Sequence, residues 1–236
     1  MDVTDRVTAA LGAPGSGVLL DLDGTLVDSE PTHRAAFDTY FSRRGWEMTD
    51  ELYLRFVGRR GLEVLAELDG PWREEDPQTV LRGLVECVDR EAVPPLPVPG
   101  AAAAIAAWRD AGVPVAVVTS AWRDWAVEAL GLLGVAELGL PMVTWETVTT
   151  GKPAPEPYRR GAELLGLDPA GCVAFEDSPA GLTAAVAAGV GLAVGVTTTH
   201  PAEALLAAGA DGTLPDLTSL VGGPGLRSGE RRTSGP

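Results

Sequence analysis

Two aspartates two residues apart, Asp21 and Asp23, open the segment DLDGTLVDS at 21–29, and Gly24 lets the backbone turn tightly behind them. Carboxylates delivered this close together in a buried setting repel one another. A divalent cation relieves the repulsion, and magnesium suits such a place because it takes a few carboxylates together with phosphate and water oxygens. An acidic turn that only caps a strand uses the same residues. Further along, VVTS ends in Thr119 and Ser120 just before the helical stretch AWRDWAVEAL. A hydroxyl beside the N–H groups of a helix start makes a phosphate cradle, although Ser120 would serve equally as a helix cap. GKPAPEPY at 151–158 carries Lys152, the only lysine in the chain, with prolines fixing its backbone. FEDSPAG at 175–181 places Glu176 and Asp177 ahead of another helix start, where acids also act as plain caps.

Each of these clusters ends an apolar run. GVLLDL at 17–22, VPVAVVTS at 113–120, GCVAFEDS at 171–178 and VGLAVGV at 190–196 read as buried strands, with PMVT at 141–144 and DGTL at 211–214 as shorter candidates. Alanine-rich helical stretches at 100–111, 121–133, 155–165, 179–188 and 202–208 separate them. The alternation predicts an α/β fold with a doubly wound parallel sheet, whose ligands sit beyond the carboxyl ends of the strands.

Residues 31–93 break the pattern. Phe37, Tyr40 and Phe41, then Val80, Leu81, Leu84, Val85 and Val88, recur at three and four residues, which predicts consecutive helices and no strand. We expect a core of residues 1–29 and 95–221, a small inserted helical domain over 30–94, and a disordered tail over 222–236. Pro94, Pro95, Pro97 and Pro99 mark the return as a stiff segment with little capacity for helix or strand.

The four clusters, in this order, resemble the signature motifs of the haloacid dehalogenase superfamily over about residues 17–221. That resemblance implies a phosphatase in which Asp21 is the nucleophile that becomes aspartyl-phosphate. It makes Asp23 first the general acid and then the base, with its backbone carbonyl on magnesium. Members that remove halogen lack this second aspartate, so its presence implies phosphoryl transfer. Thr119 becomes a phosphate ligand with Ser120 beside it, and Lys152 neutralises the nucleophile and the transferring group. Asp177 completes the magnesium site directly, and Glu176 directly or through water.

The inserted helices occupy the place of the family's cap, which excludes water and selects substrate. Within it, FVGRRGLEVL at 56–65 is similar to the glycine, any residue, arginine loop of polyol and deoxysugar phosphatases. Gly58 and Arg60 fit that pattern, with Arg59 as the neighbour between them; exposed surface arginines are the alternative. His33 matches a histidine near the hinge of β-phosphoglucomutases, or is an exposed helix histidine. The mutase remains the competing enzyme reading. Its loop has lysine before the glycine and arginine three residues after, where this chain has Val57 and Gly61. A non-catalytic binding protein would be expected to have lost one of Asp21, Asp23, Lys152 or Asp177.

The expected substrate is a small-molecule phosphate ester. A formal charge of −15 and a pI near 4.5 disfavour nucleic acid and anionic membrane as partners. Cys87 and Cys172 lack metal-ligand spacing and are expected to be buried thiols. Neither a basic leader with an apolar run nor a stretch of about 18 apolar residues is visible, so a cytoplasmic protein, monomeric or weakly dimeric, is expected.

Overall fold

The computed structural model describes residues 1–221, so the tail over 222–236 lies outside the described residues. An N-terminal helix α1 (Val3–Leu11), which the sequence reading did not anticipate, leads into β1 (Gly17–Leu20) and a two-residue strand β2 (Val27–Asp28). Four helices follow, α2 (Glu30–Arg43), α3 (Asp50–Leu54), α4 (Gly61–Glu67) and α5 (Pro77–Val85), before β3 (Leu96–Pro97) brings the chain back. Helix and strand then alternate through α6 (Ala101–Asp110), β4 (Val115–Val118), α7 (Arg123–Leu132), β5 (Met142–Val143) and α8 (Glu156–Leu165). The series closes with β6 (Cys172–Glu176), α9 (Pro179–Ala188), β7 (Leu192–Val196), α10 (Ala202–Ala207) and β8 (Gly212–Leu214).

Six of these strands form one sheet in the order β5-β4-β1-β6-β7-β8, parallel throughout. β1 is central and apolar on both faces because both are covered. Val18 and Leu20 pack with Val117, Phe175 and the inner sides of α1, α6 and α7. Leu19 points the other way, to Ala116, Val118 and the residues of α8 and α9. Each fully buried leucine contributes about 1.5–3 kcal/mol relative to exposure, and this double layer fixes the register. The order reverses at β1, which is flanked by β4 on one side and β6 on the other. Side chains leaving the ends of these three strands therefore converge.

Helices α2 to α5 pack on a third apolar cluster that includes Phe41, Phe56, Val64, Trp72 and Val80. Trp72 is buried with its indole N–H donating to the Leu65 carbonyl at 2.9 Å. Val85, expected on the apolar stripe, is instead 45% exposed.

The proline segment corrects the expectation that it holds no strand. Leu96 and Pro97 pair antiparallel with Asp28 and Val27, and the Val98 N–H donates to the Leu26 carbonyl at 2.9 Å. Pro97 is tolerated because β3 has a single partner and needs no second donor edge. Cys87 corrects another expectation: it is only half-buried and accepts from Arg43 Nη1 at 3.4 Å. Cys172 is buried as expected, and burial pushes its thiol pKa up to about 11.

Candidate active site

The sheet register explains which side chains meet. Leu20 lies level with Val117 of β4 and Phe175 of β6. One residue on, the Asp21 N–H donates to the Phe175 carbonyl at 3.0 Å, which brings Asp21, Val118 and Glu176 into one row across adjacent strands. Lys152 reaches that row from the loop before α8. Its Nζ donates to Asp21 Oδ1 at 2.5 Å, to Glu176 Oε1 at 2.5 Å and to the Val118 carbonyl at 2.9 Å. The ammonium is fully buried and all three of its donors are used. Thr119, next after β4, is anchored by its N–H on the Val143 carbonyl at 2.9 Å and accepts the Ala121 N–H at 3.0 Å through Oγ1.

Glu176 is held from every side. Tyr158 donates its hydroxyl to Oε1 at 2.6 Å and Ser178 donates to Oε2 at 3.0 Å, while Ser178 also caps α9 by accepting the Gly181 N–H. Asp177 is the opposite case, since both of its carboxylate oxygens are buried with no hydrogen-bond partner among the described residues. One oxygen each from Asp21, Glu176 and Asp177 lie within 4.8 Å of one another. Burial first, and the Glu176 charge second, hold the Asp21 carboxyl pKa well above its ordinary range. Asp177 is raised by burial and then by the charges of Asp21 and Glu176. Burial alone would lower Lys152, but the same two carboxylates outweigh it and keep the ammonium charged.

Three carboxylates against one ammonium leave a formal charge of −2 in a buried cluster, a deficit that one divalent cation balances. All the donors are hard oxygens, as magnesium requires. The space beside Asp177 is kept open by Gly24, with φ +79°, where a Cβ would come within 2.0 Å of Asp177 Oδ2. The residues present therefore fit a divalent cation, with Asp177 free to bind and Glu176 already committed.

Asp23 follows on the same loop and lines, with Asp21, Thr119 and Ser120, a cavity of about 260 Å³ between the sheet edge and the helical insertion. Ser29 Oγ and Trp125 Nε1 both donate to Asp23 Oδ1, at 2.5 and 2.8 Å. The far wall is apolar, built from Phe37, Phe56, Leu81 and Leu84, with Trp122 and Trp145 to one side. His33 also lines it, edge-on to Trp125 and 4.0 Å from Glu30.

The loop over 58–60 departs from its expected arrangement. Arg60 does not line the cavity: it is 5% exposed, and its guanidinium donates to the carbonyls of Trp145, Val148 and Thr149. Of the two adjacent arginines it is Arg59 that lines the cavity, paired with Glu67, and Arg90 lines it as well. Gly58 has φ +72°, and a Cβ there would strike Ser178 Oγ at 2.1 Å, so its role is close approach of the insertion to the core. The Ser120 hydroxyl is spent on the Gly58 carbonyl at 2.9 Å. What Ser120 offers the cavity is its backbone.

Sequence reasoning missed Trp125, Tyr158 and Ser29. Ser29 and Tyr158 stood at the edges of quoted motifs, while Trp125 lies in an ordinary amphipathic helix with nothing local to mark it.

A covalent-capable aspartate, a buried lysine and an open carboxylate at the switch point of a parallel sheet define a phosphoester hydrolase site. The chain belongs to the haloacid dehalogenase-like hydrolase family, whose pattern matches residues 16–189. It is 38% identical over 206 residues to validoxylamine A 7'-phosphate phosphatase of Streptomyces hygroscopicus subsp. limoneus, covering 86% of this chain and 94% of that one. To hexitol phosphatase A of Escherichia coli K12 it is 37% identical over 185 residues, covering 73% and 79%. The crystal structure of CbbY from Rhodobacter sphaeroides in complex with phosphate superposes with a TM-score of 0.71 at 29% identity, covering 89% of this chain and 98% of that one. Among the described residues no helix is long and apolar enough to cross a membrane.

Proposed function

We propose that the protein is a magnesium-dependent phosphatase that hydrolyses a small sugar or polyol phosphate through an aspartyl-phosphate on Asp21. The observation that carries this reading is Asp21, held by Lys152 on one oxygen, beside the two unpartnered oxygens of Asp177. Lys152 on Oδ1 leaves Asp21 Oδ2 to attack phosphorus. As the bond to the sugar oxygen breaks, Asp23 gives that oxygen its proton. Asp23 then takes a proton from water, whose oxygen attacks phosphorus and breaks the aspartyl bond, releasing inorganic phosphate and restoring Asp21. Lys152, Thr119 and the backbone at Ser120 hold the phosphoryl oxygens during both transfers. Asp21, the Asp23 carbonyl and Asp177 would hold magnesium, with Glu176 in support through water; the bound ion supplies charge stabilisation to the phosphoryl group.

The helical unit over 30–94 serves as the cap in this reading. With Arg60 committed to carbonyls, its loop presents one arginine, Arg59, to the cavity. Hydrolysis is favoured over mutase action by the loop itself, which has Val57 in place of the mutase's lysine before the glycine and Gly61 in place of its arginine three residues after. Asp21→Asn should abolish phosphate release from a panel of sugar and polyol phosphates while leaving the circular dichroism spectrum unchanged; release at the wild-type rate removes the reading. With β-glucose 1-phosphate and a trace of the 1,6-bisphosphate, free phosphate should exceed glucose 6-phosphate. The reverse would establish the mutase.

A further inference from the structure

Among the described residues, both hydrogen bonds to the Asp23 carboxylate land on one oxygen. Ser29 reaches Oδ1 from the same loop, whereas Trp125 arrives from α7, 102 residues away in the chain. Trp125 is 8% exposed, and its ring is fixed from two directions, with the Arg90 guanidinium 4.4 Å from its centroid and the His33 ring edge-on at 6.4 Å. An indole N–H donates and never accepts, so Trp125 cannot exchange a proton with Asp23. It can decide where the proton sits. A carboxylate oxygen has two lone pairs, and on Oδ1 both are taken.

We propose that Trp125 is a positioning residue for leaving-group protonation: by occupying Asp23 Oδ1 together with Ser29, it confines the acid proton to Oδ2, the oxygen left for the cavity. The inference rests on the reading of Asp23 as general acid. In the first transfer the Oδ2–H bond breaks and the proton passes to the ester oxygen as its bond to phosphorus breaks. In the second, a proton from water returns to Oδ2. A carboxyl held by Ser29 alone could rotate and present the wrong oxygen, so esters whose leaving group needs a proton would suffer most.

The test is the leaving-group dependence of kcat/KM, which reports steps up to departure of the alcohol. Trp125→Phe keeps a ring between Arg90 and His33 and removes the N–H. Turnover of glucose 6-phosphate and sorbitol 6-phosphate should fall roughly ten- to a hundred-fold, part of what a general acid contributes. Turnover of p-nitrophenyl phosphate, whose phenolate leaves without a proton, should stay within about two-fold by the same reasoning. Equal losses on both kinds of ester, or no loss on either, would overturn the proposal. Should Trp125→Phe fail to fold, benzothienylalanine at position 125 keeps the bicyclic shape without the donor and must give the same selective loss. Failure of the underlying reading is separate, because then the wild-type protein itself would release no phosphate from the alkyl esters.

Discussion

Arg60 Nη2 lies 2.6 Å from the carbonyl oxygen of Trp145 and 2.7 Å from that of Val148, so an arginine of the helical insertion is built into the core loop that leads to Lys152. Nη1 adds the Thr149 carbonyl and Glu63 Oε1, each at 3.0 Å, and Glu63 in turn accepts the Gly151 N–H at 3.2 Å. Of the two arginines, the neighbouring Arg59 is the one that lines the cavity.

Arg60→Ala should act on stability. It leaves three carbonyls without their donor, at about 1–3 kcal/mol for each that water cannot reach, and thermal denaturation should show a midpoint lower by several degrees. Arg59→Ala removes a pair whose Glu67 partner is half exposed, worth at most about 1 kcal/mol, and should instead raise KM. Denaturation and Michaelis kinetics on both variants decide the matter. An unchanged midpoint with a raised KM in Arg60→Ala would return Arg60 to the substrate.

The contrast between these arginines shows where the sequence stops being informative. Asp21, Thr119 and Glu176 were legible because apolar runs of strand length end at them, and a parallel sheet delivers such ends to one edge. Which of two adjacent arginines turns inward depends on the φ of Gly58 and the shape of a loop 85 residues further on. No local pattern encodes that. Trp125 was hidden for the same reason, since its partner Asp23 is distant in sequence. The β2–β3 pair has only two residues per strand, too few for alternation to register, and it is made by chain ends that the insertion brings together.

The buried carboxylates give metal binding a definite pH dependence. Asp21 and Asp177 have folded-state pKa values raised above the ordinary 3.8, chiefly by burial. A raised acid costs no stability below its unfolded value, and the cost grows as pH rises until the folded value is passed. Metal-free protein should therefore lose stability from this cluster as pH climbs out of the acid range. Magnesium should restore about 2.7 kcal/mol at a hundred times its Kd near neutrality, and much less at about pH 5, where protons compete. Melting curves with and without magnesium across this range test it; a stabilisation independent of pH would place the ion elsewhere.

His33 titrates in the other sense. Burial would lower its pKa, but the Glu30 and Asp23 carboxylates outweigh burial and the opposing Arg90 charge, and the pKa rises above 6.5. Stabilisation from protonated His33 is thus fully present below the unfolded value and is lost as pH rises through the folded one. His200, buried against the Asp177 carbonyl, is shifted downward. In an NMR titration the two histidines should move on opposite sides of 6.5, and His33→Gln should remove the upper transition together with the stability lost across it. A single shared midpoint would contradict the arrangement.

Gly24 offers a separation of backbone strain from damage to the site. Its φ of +79° closely matches the +75° of Gly15, and alanine at either position pays the same left-handed penalty, about 1–2 kcal/mol. At Gly15 a Cβ meets nothing within 4 Å, whereas at Gly24 it comes within 2.0 Å of Asp177 Oδ2 and 2.5 Å of its Cγ. Both variants should therefore lose that much stability without metal, and Gly24→Ala more, because its methyl group also displaces the buried Asp177. Only Gly24→Ala should weaken magnesium binding, because Asp177 must turn away from Asp21 and Glu176 to admit the methyl group. Calorimetric titration with magnesium on the two variants reads this directly. We expect wild-type affinity in Gly15→Ala and a loss of at least about ten-fold, or 1.4 kcal/mol, in Gly24→Ala. Equal affinities would mean that Asp177 is not a ligand, and its unpartnered oxygens would then need another explanation.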